Sequence, residues 1–430
     1  MSPNKIKTKM EDKAQVVGGD TGFEEFEKTH FKVIDPVGFV RIGPNGKIQR
    51  LKKGDLHTLY ENKPGFPTAG GKEISYVAAW LKSKDIRTYE RVDLLPPPLT
   101  VPNNVYNTWS AVPATHLPST GSADLMIKHI EILFGEKRVS DYVLKWFANI
   151  FQTPAVRTDV AMVWTSEQGA GKGIILEQLM SKLLGTYFAH TSNPKNNLFS
   201  KFGEFRNCKL LVNIDDACDI KACMEEFKPL ITGERITYEA KFEQTISYLN
   251  CSNYIVTTQR GCPIKLDASD RRWAVFECDN KLVGQRAYFK ELDEWLKSDA
   301  NVGAFYEFLM ALNIKGFNFA DERPLTNAYH DIKMLTADKE LLFLASVVKG
   351  SQSVFKAQEF FDLFRIWISS AGFASSTAGD ILSFGTYMSK LAKAEMIDKS
   401  RLAHGVIYKI SDKPKLEKYL VSKGVQIEEV

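Results

Sequence analysis

The sequence contains few cysteines and no long hydrophobic run. Six cysteines occur in 430 residues, all between Cys208 and Cys278, and no two form a C-x-x-C pair. This spacing fits neither a disulfide framework nor a zinc pattern, so we interpret the thiols as reduced and partly buried. No apolar stretch approaches the roughly 18–20 residues that a membrane span needs, and residues 1–20 lack an apolar signal-peptide core. These absences predict a cytoplasmic protein that does not bind membranes.

Neither sign of charge is in large excess. The chain has 56 Lys and Arg against 52 Asp and Glu, a formal net charge of +4. Such a balance permits nucleic-acid binding without arguing for it, because a slight lysine excess commonly belongs to a solvated surface. Hydrophobic residues make up 44% and charged residues 25%, values that predict a folded chain with a large core.

Changes of pattern along the chain predict its domain organisation. Apolar and polar residues alternate around a Pro-Asn-Gly turn near residue 45, which favours two strands. Residues 70–90 look helical, and a Pro-rich stretch follows at 94–110. Two amphipathic helices are expected at 123–153, separated near Gly135, with Tyr142, Trp146 and Ile150 in the core.

The predicted segments are a flexible start at 1–20, an α+β region with a Pro-rich arm at 21–115, a helical collar at 116–158, an α/β core at 159–280, a helical segment at 281–345 and a winged-helix-like domain at 346–430.

The strongest motif lies in the core segment, between an apolar strand and a helix. It reads Ser166-Glu-Gln-Gly-Ala-Gly-Lys-Gly173. Its glycines let backbone N–H groups point at phosphate oxygens, and the lysine can reach the β- and γ-phosphates. A chance glycine-rich turn is the alternative, but the strand–loop–helix context favours a P-loop. The candidate nucleotide-binding residues are Ser166, Glu167, Gln168, Gly169, Ala170, Gly171, Lys172, Gly173 and Ile174.

The motif departs from the usual P-loop pattern at two positions. Ser166 stands where the first glycine is usual, and Gly173 stands where a serine or threonine normally follows the lysine. That hydroxyl ordinarily binds Mg²⁺, so either another group or water occupies its place, or nucleotide turnover is slow.

An apolar strand ending in two carboxylates follows about 40 residues later. Leu210-Leu-Val-Asn-Ile-Asp215-Asp216 has the form in which one carboxylate holds Mg²⁺ and the other orients the attacking water. Asp pairs are common after strands, and this pair becomes informative only through its position beyond the glycine-rich loop.

Two further stretches complete the pattern. Residues 229–242 predict a hairpin after Gly233 with Lys241 and Phe242 near its end, where a cation beside an aromatic ring suits a nucleic-acid strand. A surface lysine beside a core phenylalanine is the competing interpretation. Farther on, Gln259 ends an apolar strand and can sense a γ-phosphate. In Asp270-Arg271-Arg272, either arginine can reach a neighbouring subunit's nucleotide, although a surface ion pair explains that triplet equally simply.

Taken in order, these motifs resemble superfamily-3 helicases, most closely the phage and poxvirus-type primase-helicase branch. The resemblance covers residues 160–280 well and extends loosely to Tyr89-Glu-Arg-Val-Asp-Leu-Leu-Pro and Tyr106-Asn-Thr-Trp109. It implies an AAA+-like fold, a hexameric ring, Mg²⁺-dependent ATP hydrolysis and movement along single-stranded DNA. By position it makes Lys172 the phosphate ligand and Asp215 the Mg²⁺ ligand. Asp216 would position the attacking water, and Gln259 would replace the asparagine that usually senses the γ-phosphate. It also places Lys241 and Phe242 on a hairpin that contacts DNA. Arg271 or Arg272 would be the arginine finger, the residue that reaches the nucleotide of a neighbouring subunit.

The C-terminal segment has the order helix, helix, β-pair, which is typical of a winged helix. Its second helix carries Lys390 and Lys393, which we expect to contact DNA phosphates. Packing of this domain against the ATPase is an equal alternative.

The sequence therefore predicts an ATP-dependent replicative helicase of a phage or mobile element that acts on single-stranded DNA at replication forks, with a primase or polymerase as its candidate protein partner. No paired-carboxylate polymerase site is evident in residues 1–150. An origin-binding or loading protein with a degenerate ATPase is the main alternative, and Gly173 favours it. A nucleotide kinase or signalling P-loop protein needs neither the hairpin nor the winged helix.

Overall fold

The computed structural model describes residues 23–44, 46–68, 70–200, 205, 207–215, 220–239, 245–259, 264–267, 270–403, 405–423 and 425. Within these residues no helix is both long and apolar enough to cross a bilayer. The chain forms two compact units, one of Met1–Ser110 with Arg235–Leu249 and one of Ala111–Glu234 with Asn250–Val430.

The strands are β1 His30–Val33, β2 Gly38–Ile42, β3 Ile48–Leu51, β4 Phe66–Pro67, β5 Glu73–Ile74, β6 Thr88–Tyr89, β7 Arg91–Asp93, β8 Val105–Asn107, β9 Ala161–Thr165, β10 Phe188–Thr191, β11 Leu211–Asp215, β12 Arg235–Glu239, β13 Thr245–Leu249, β14 Asn253–Thr258, β15 Trp273–Glu277, β16 Val354–Lys356, β17 Asp398–Leu402 and β18 Gly405–Lys409.

The α-helices are α1 Glu24–Glu27, α2 Lys53–Leu59, α3 Tyr76–Trp80, α4 Asp124–Phe134, α5 Lys137–Gln152, α6 Ser181–Leu184, α7 Pro194–Asn197, α8 Met224–Thr232, α9 Arg286–Lys297, α10 Asp299–Ala311, α11 Asn327–Thr336, α12 Lys339–Val348, α13 Ala357–Ser370, α14 Ile381–Lys393 and α15 Lys413–Ser422. A π-helical segment, Ile174–Met180, precedes α6 without a break.

The first unit contains a four-stranded sheet in the order β3-β2-β1-β6. β1 to β3 pair antiparallel, and Gly46 (φ +74°) allows the turn between β2 and β3. Alternation along the strands buries Phe31, Val33 and Val40 in one cluster, while Trp80 lies in a second cluster together with residues of β2 and β3. The expected strand–turn–strand pattern is confirmed.

The helix predicted at residues 70–90 is largely wrong. Only Tyr76–Trp80 is helical, with Ser75 capping its first turn. Gly71 has φ +76°, and Thr88–Tyr89 forms β6, which pairs parallel with β1. Pairing with a strand distant in sequence overrides the local helical pattern.

A hairpin, β12 with β13, also belongs to the first unit, and Asp93 holds it in place. The hairpin is antiparallel, from Arg235 opposite Leu249 to Glu239 opposite Thr245, which confirms the predicted hairpin. The Asp93 carboxylate is fully buried and accepts hydrogen bonds from the Leu249 N–H at 2.9 Å and from Arg235 at 3.1 Å. The hairpin tip, with Lys241 and Phe242, lies outside the described residues.

The second unit is built on a five-stranded sheet in the order β10-β11-β14-β9-β15. Every neighbouring pair in it is parallel. The strands expected at 209–217, 253–259 and 271–278 are confirmed as β11, β14 and β15. Their near-continuous apolar runs suit a sheet that is covered on both faces. β10 was not predicted, because it is short and carries the polar His190 and Thr191.

Helices α4 and α5 pack together beside this sheet. They are separated at Gly135, whose φ of +67° ends α4, as predicted. Tyr142, Trp146 and Ile150 are all nearly fully buried, which confirms that their stripe belongs to the core.

The C-terminal part forms its own hydrophobic cluster. Phe360 and Phe364 of α13 pack with Phe384 and Met388 of α14. β17 and β18 pair antiparallel, and β16 adds a third strand. The described elements thus follow the order helix, helix, hairpin that the sequence indicated. Lys390 and Lys393 lie on α14 and are exposed.

Candidate functional site

The carboxyl ends of β9, β11 and β14 meet at one edge of the parallel sheet. Thr258 of β14 pairs with Thr165 of β9, and Thr257 pairs with Asp215 of β11. The loop after β9, the Asp215 carboxylate and Gln259 are therefore neighbours. Ligands of open parallel sheets commonly bind at this edge.

The loop 166–173 leaves β9 and enters a helical segment at residue 172. The Ser166 N–H donates to the Thr258 carbonyl at 3.2 Å, which ties the start of the loop to β14. Gly169 (φ +85°) and Gly171 (φ +110°) have backbone conformations that other residues rarely adopt. The strand–loop–helix context expected from the sequence is present.

Ser166 holds the side chain of Lys172. The Lys172 ammonium donates to the Ser166 carbonyl at 3.4 Å and contacts the Ser166 hydroxyl. The serine that replaces the usual first glycine therefore contributes to positioning the lysine across the loop.

A buried histidine supports the loop from behind. His129 of α4 is fully buried, with Nε2 3.3 Å from the Gly171 carbonyl and Nδ1 3.2 Å from the Tyr288 hydroxyl. Because a carbonyl only accepts, Nε2 carries the proton and Nδ1 accepts from Tyr288. Burial lowers the pKa of His129, outweighing the opposite effect of the Gly171 carbonyl, so the ring is neutral at neutral pH.

Replacing Gly171 with alanine should disrupt this arrangement. The added Cβ would lie 2.5 Å from His129 Cε1, in a backbone conformation that is already unfavourable for alanine. We expect the affinity for a fluorescent ATP analogue to fall at least about tenfold, a loss of about 1.4 kcal/mol. Gly284→Ala is the matched control, since Gly284 has φ +82° but no atom within 4 Å of the new Cβ. Equal affinities for the two variants would contradict the role of the His129 contact.

His129 should also make stability depend on pH. Its folded-state pKa lies below the ordinary value, so below about pH 6.5 the unfolded chain takes up a proton that the folded chain excludes. This contribution is complete above that pH and is lost as the pH falls toward the lowered pKa. We expect the fall in Tm between pH 7.5 and 5.5 to be smaller in His129→Gln than in the wild type, with exposed His116→Gln as the control. Parallel curves for His129→Gln and the wild type would refute this.

The loop and the strand ends enclose a cleft of about 520 Å³, within the range of small-molecule sites. Asp215 projects into it, and its carboxylate accepts a hydrogen bond from the Thr257 hydroxyl at 2.5 Å. The lining residues are Gln168, Gly169, Ala170, Gly171, Lys172, Gly173, Ile174, Leu176, Glu177, Gln178, Asn213, Asp215, Thr257, Thr258, Gln259 and Phe289.

Other predicted site residues lie in different settings. Asp216 falls outside the described residues, as do the hairpin residues Lys241 and Phe242. Arg272 is engaged within its own chain, with Nη2 3.0 Å from the buried Asp270 carboxylate. Arg271 is exposed and has no hydrogen-bond or ion-pair partner among the described residues.

Several residues of the site could not be found from the sequence. Glu177 and His190 approach Asp215 from two other elements, Asn213 lies two residues before Asp215 on β11, and Phe289 comes from α9. A carboxylate one helical turn after Gly173 was the single local signal for Glu177. Nothing local distinguished the others.

Cys278 lies fully buried just after β15, and burial raises the pKa of its thiol to about 12. At neutral pH it is therefore a neutral thiol.

Comparisons with known proteins extend this description. Residues 164–272 match a family of unknown function (DUF5906). Over 176 residues the chain is 27% identical to the DNA primase-polymerase of Nitratiruptor phage NrS-1. That match covers 40% of this chain, and the chain spans about a quarter (24%) of the relative's length.

Solved structures of the NrS-1 C-terminal region have the same fold. The A form of the apo C-terminal region superposes with a TM-score of 0.63 over 90% of this chain and 97% of that chain, at 17% identity. A second apo structure of that region gives 0.61 with the same coverage. The mixed α/β architecture with its parallel sheet is thus shared with that region.

Proposed function

We propose that this chain is the ATP-driven helicase part of a phage DNA replication protein, acting as a ring oligomer, a hexamer by its resemblance, on single-stranded DNA. The observation that carries the proposal is the meeting of the glycine-rich loop, Lys172 and Asp215 in one cleft at the edge of a parallel sheet. A phosphate chain needs such backbone N–H groups and a lysine, and Mg²⁺ needs a carboxylate beside them. The similarity to a phage primase-polymerase supports a place at the replication fork, beside a primase or polymerase.

The cleft can accommodate ATP with Mg²⁺. In this proposal the loop 166–173 holds the phosphates, Gln259 senses the γ-phosphate and the Phe289 ring offers a face for the base. Asp216 positions the attacking water. Stacking on an aromatic ring suits any nucleobase, so Phe289 accounts for binding without fixing base identity.

Between subunits, Arg271 is the better candidate for the finger. Arg272 is held by the buried Asp270 carboxylate through its N–H and its guanidinium, whereas the Arg271 side chain is exposed. An arginine that must reach another subunit's nucleotide has to project into solvent in the isolated chain.

DNA contacts are assigned to the β12–β13 hairpin through Lys241 and Phe242, and to Lys390 and Lys393 on α14. The exposure of both α14 lysines suits phosphate contacts, which are electrostatic and sensitive to salt.

A loading or origin-binding protein with slow turnover is the second candidate, because Gly173 lacks the usual hydroxyl. Phosphate release from ATP with Mg²⁺, measured with and without single-stranded DNA, separates the two. DNA-stimulated hydrolysis together with strand unwinding supports the helicase. Nucleotide-dependent oligomerisation with DNA binding but no steady-state turnover supports the loader, and turnover indifferent to DNA contradicts both.

A further inference from the structure

Three side chains with metal-binding atoms gather at the mouth of the cleft. Glu177 in the π-helical segment, His190 on β10 and Asp215 on β11 each offer one ligand atom, all within 4.8 Å of one another. His190 Nδ1 lies 3.9 Å from the Glu177 carboxylate. Ligand atoms around one octahedral ion with bonds of about 2.1 Å are about 3–4 Å apart. Small side-chain rotations therefore suffice to bring the three onto one ion.

Glu177 stands beside the position that lacks its usual hydroxyl. A Cβ built on Gly173 would lie 3.4 Å from Glu177 Oε1, in ordinary van der Waals contact. The carboxylate thus reaches the space next to the one that a serine or threonine side chain at residue 173 would enter. Residue 173 has no side chain, and the carboxylate of Glu177, four residues later, lies next to the space that such a side chain would occupy.

Asn213 is an independent sign that a polar ligand belongs here. It is almost completely buried, lies two residues before Asp215 on the same face of β11, and lines the same cleft. Its Nδ2 lies 3.2 Å from His190 Nδ1, but its Oδ1 is buried without a hydrogen-bond partner in the described part of the chain. Buried amide oxygens are nearly always satisfied. Water bound to a cation in the cleft would be able to donate to this oxygen.

We propose that Glu177, His190 and Asp215 bind one divalent cation, and that Glu177 takes over the coordination that a hydroxyl after Lys172 usually supplies. This inference rests on the proposed function, because it assigns the cation that accompanies the nucleotide. Two carboxylates with one imidazole favour Mn²⁺ over Mg²⁺, since Mg²⁺ prefers oxygen ligands and a nitrogen ligand suits later metals better.

Binding of Mn²⁺ to the full chain without nucleotide tests the site directly. Free Mn²⁺ is followed by electron paramagnetic resonance for the wild type, Glu177→Gln, His190→Ala and Asp215→Asn, with exposed Glu307→Gln as the control. We expect one strong site, weakened at least tenfold by each of the three substitutions and unchanged in the control. Competition with Mg²⁺ should show that His190→Ala reduces the preference for Mn²⁺.

Compensation by Glu177 has its own test. Adding Gly173→Ser to Glu177→Gln supplies the missing hydroxyl at a position with room for it. We expect this double variant to recover most of the Mn²⁺ affinity that Glu177→Gln loses. If Glu177→Gln binds Mn²⁺ less tightly and Gly173→Ser restores nothing, compensation is overturned.

The metal site and the helicase can fail separately. Absence of a strong Mn²⁺ site in the wild type, or binding indifferent to both Glu177→Gln and His190→Ala, overturns the metal site even where DNA-stimulated ATP hydrolysis is found. One Mn²⁺ site with the expected sensitivities supports it even where no hydrolysis is found, and the helicase proposal then falls alone.

Discussion

Lys172→Ala should lower the kcat of ATP hydrolysis by at least about 100-fold, the size of effect seen when one group that stabilises transition-state charge is removed. The Lys172 ammonium is held at the mouth of the loop by Ser166, where it can neutralise the charge that develops on the γ-phosphate. Unwinding should disappear together with hydrolysis. Phosphate release and strand displacement, measured on the same preparations, check both results.

The control for this variant is Lys128→Ala, because Lys128 is an exposed lysine on α4. It should hydrolyse ATP and unwind DNA as the wild type does. Lys172→Ala should still bind single-stranded DNA. This result would show that the variant has lost ATP hydrolysis and unwinding without losing its fold. Full hydrolysis and unwinding by Lys172→Ala would remove the basis of the proposed function.

Asp93→Ala should loosen the β12–β13 hairpin. The substitution leaves Arg235 and the Leu249 N–H without their buried partner. Arg91, whose Nε lies 3.4 Å from the Asp93 carboxylate, loses the same partner. Removing one member of a buried ion pair costs about 3–5 kcal/mol, and the lower end applies because both guanidinium groups are partly exposed. A loss of about 3 kcal/mol corresponds to about 100-fold faster opening.

Hydrogen–deuterium exchange of peptides covering β12 and β13 measures this loosening. Exchange should accelerate in Asp93→Ala and stay unchanged in Asp85→Ala, which alters an exposed carboxylate of the same unit. Because the proposed function assigns DNA contacts to Lys241 and Phe242, which lie between β12 and β13 in the sequence, affinity for single-stranded DNA should fall as well. Unaltered exchange in Asp93→Ala would show that the hairpin is held by other contacts.

The strands of the core sheet could be predicted because their cause is local. β11, β14 and β15 are apolar runs bounded by polar residues, and burial on both faces demands such runs. The loop 166–173 could also be predicted from the sequence, because the positive φ angles at Gly169 and Gly171 require glycine. β10 escaped prediction because two of its residues, His190 and Thr191, are polar, and its place is decided by pairing with β11.

The helix expected at 70–90 failed for a related reason. Its periodicity is genuine over Tyr76–Trp80, but Thr88–Tyr89 pairs with β1. A short segment of mixed propensity takes the structure that its distant partner offers.

By itself, the sequence determined which chemical groups are available to this protein: a glycine-rich loop with Lys172, a strand ending in Asp215, and no hydroxyl at Gly173. These features are contiguous in the chain, so short-range rules reveal them. Only the tertiary structure decided which distant groups join them. His129 behind Gly171, Glu177 and His190 beside Asp215, and Asp93 beneath the hairpin are brought together by parallel strand pairing and helix packing. Contacts between residues far apart in the chain depend on the whole fold, and no local pattern records them.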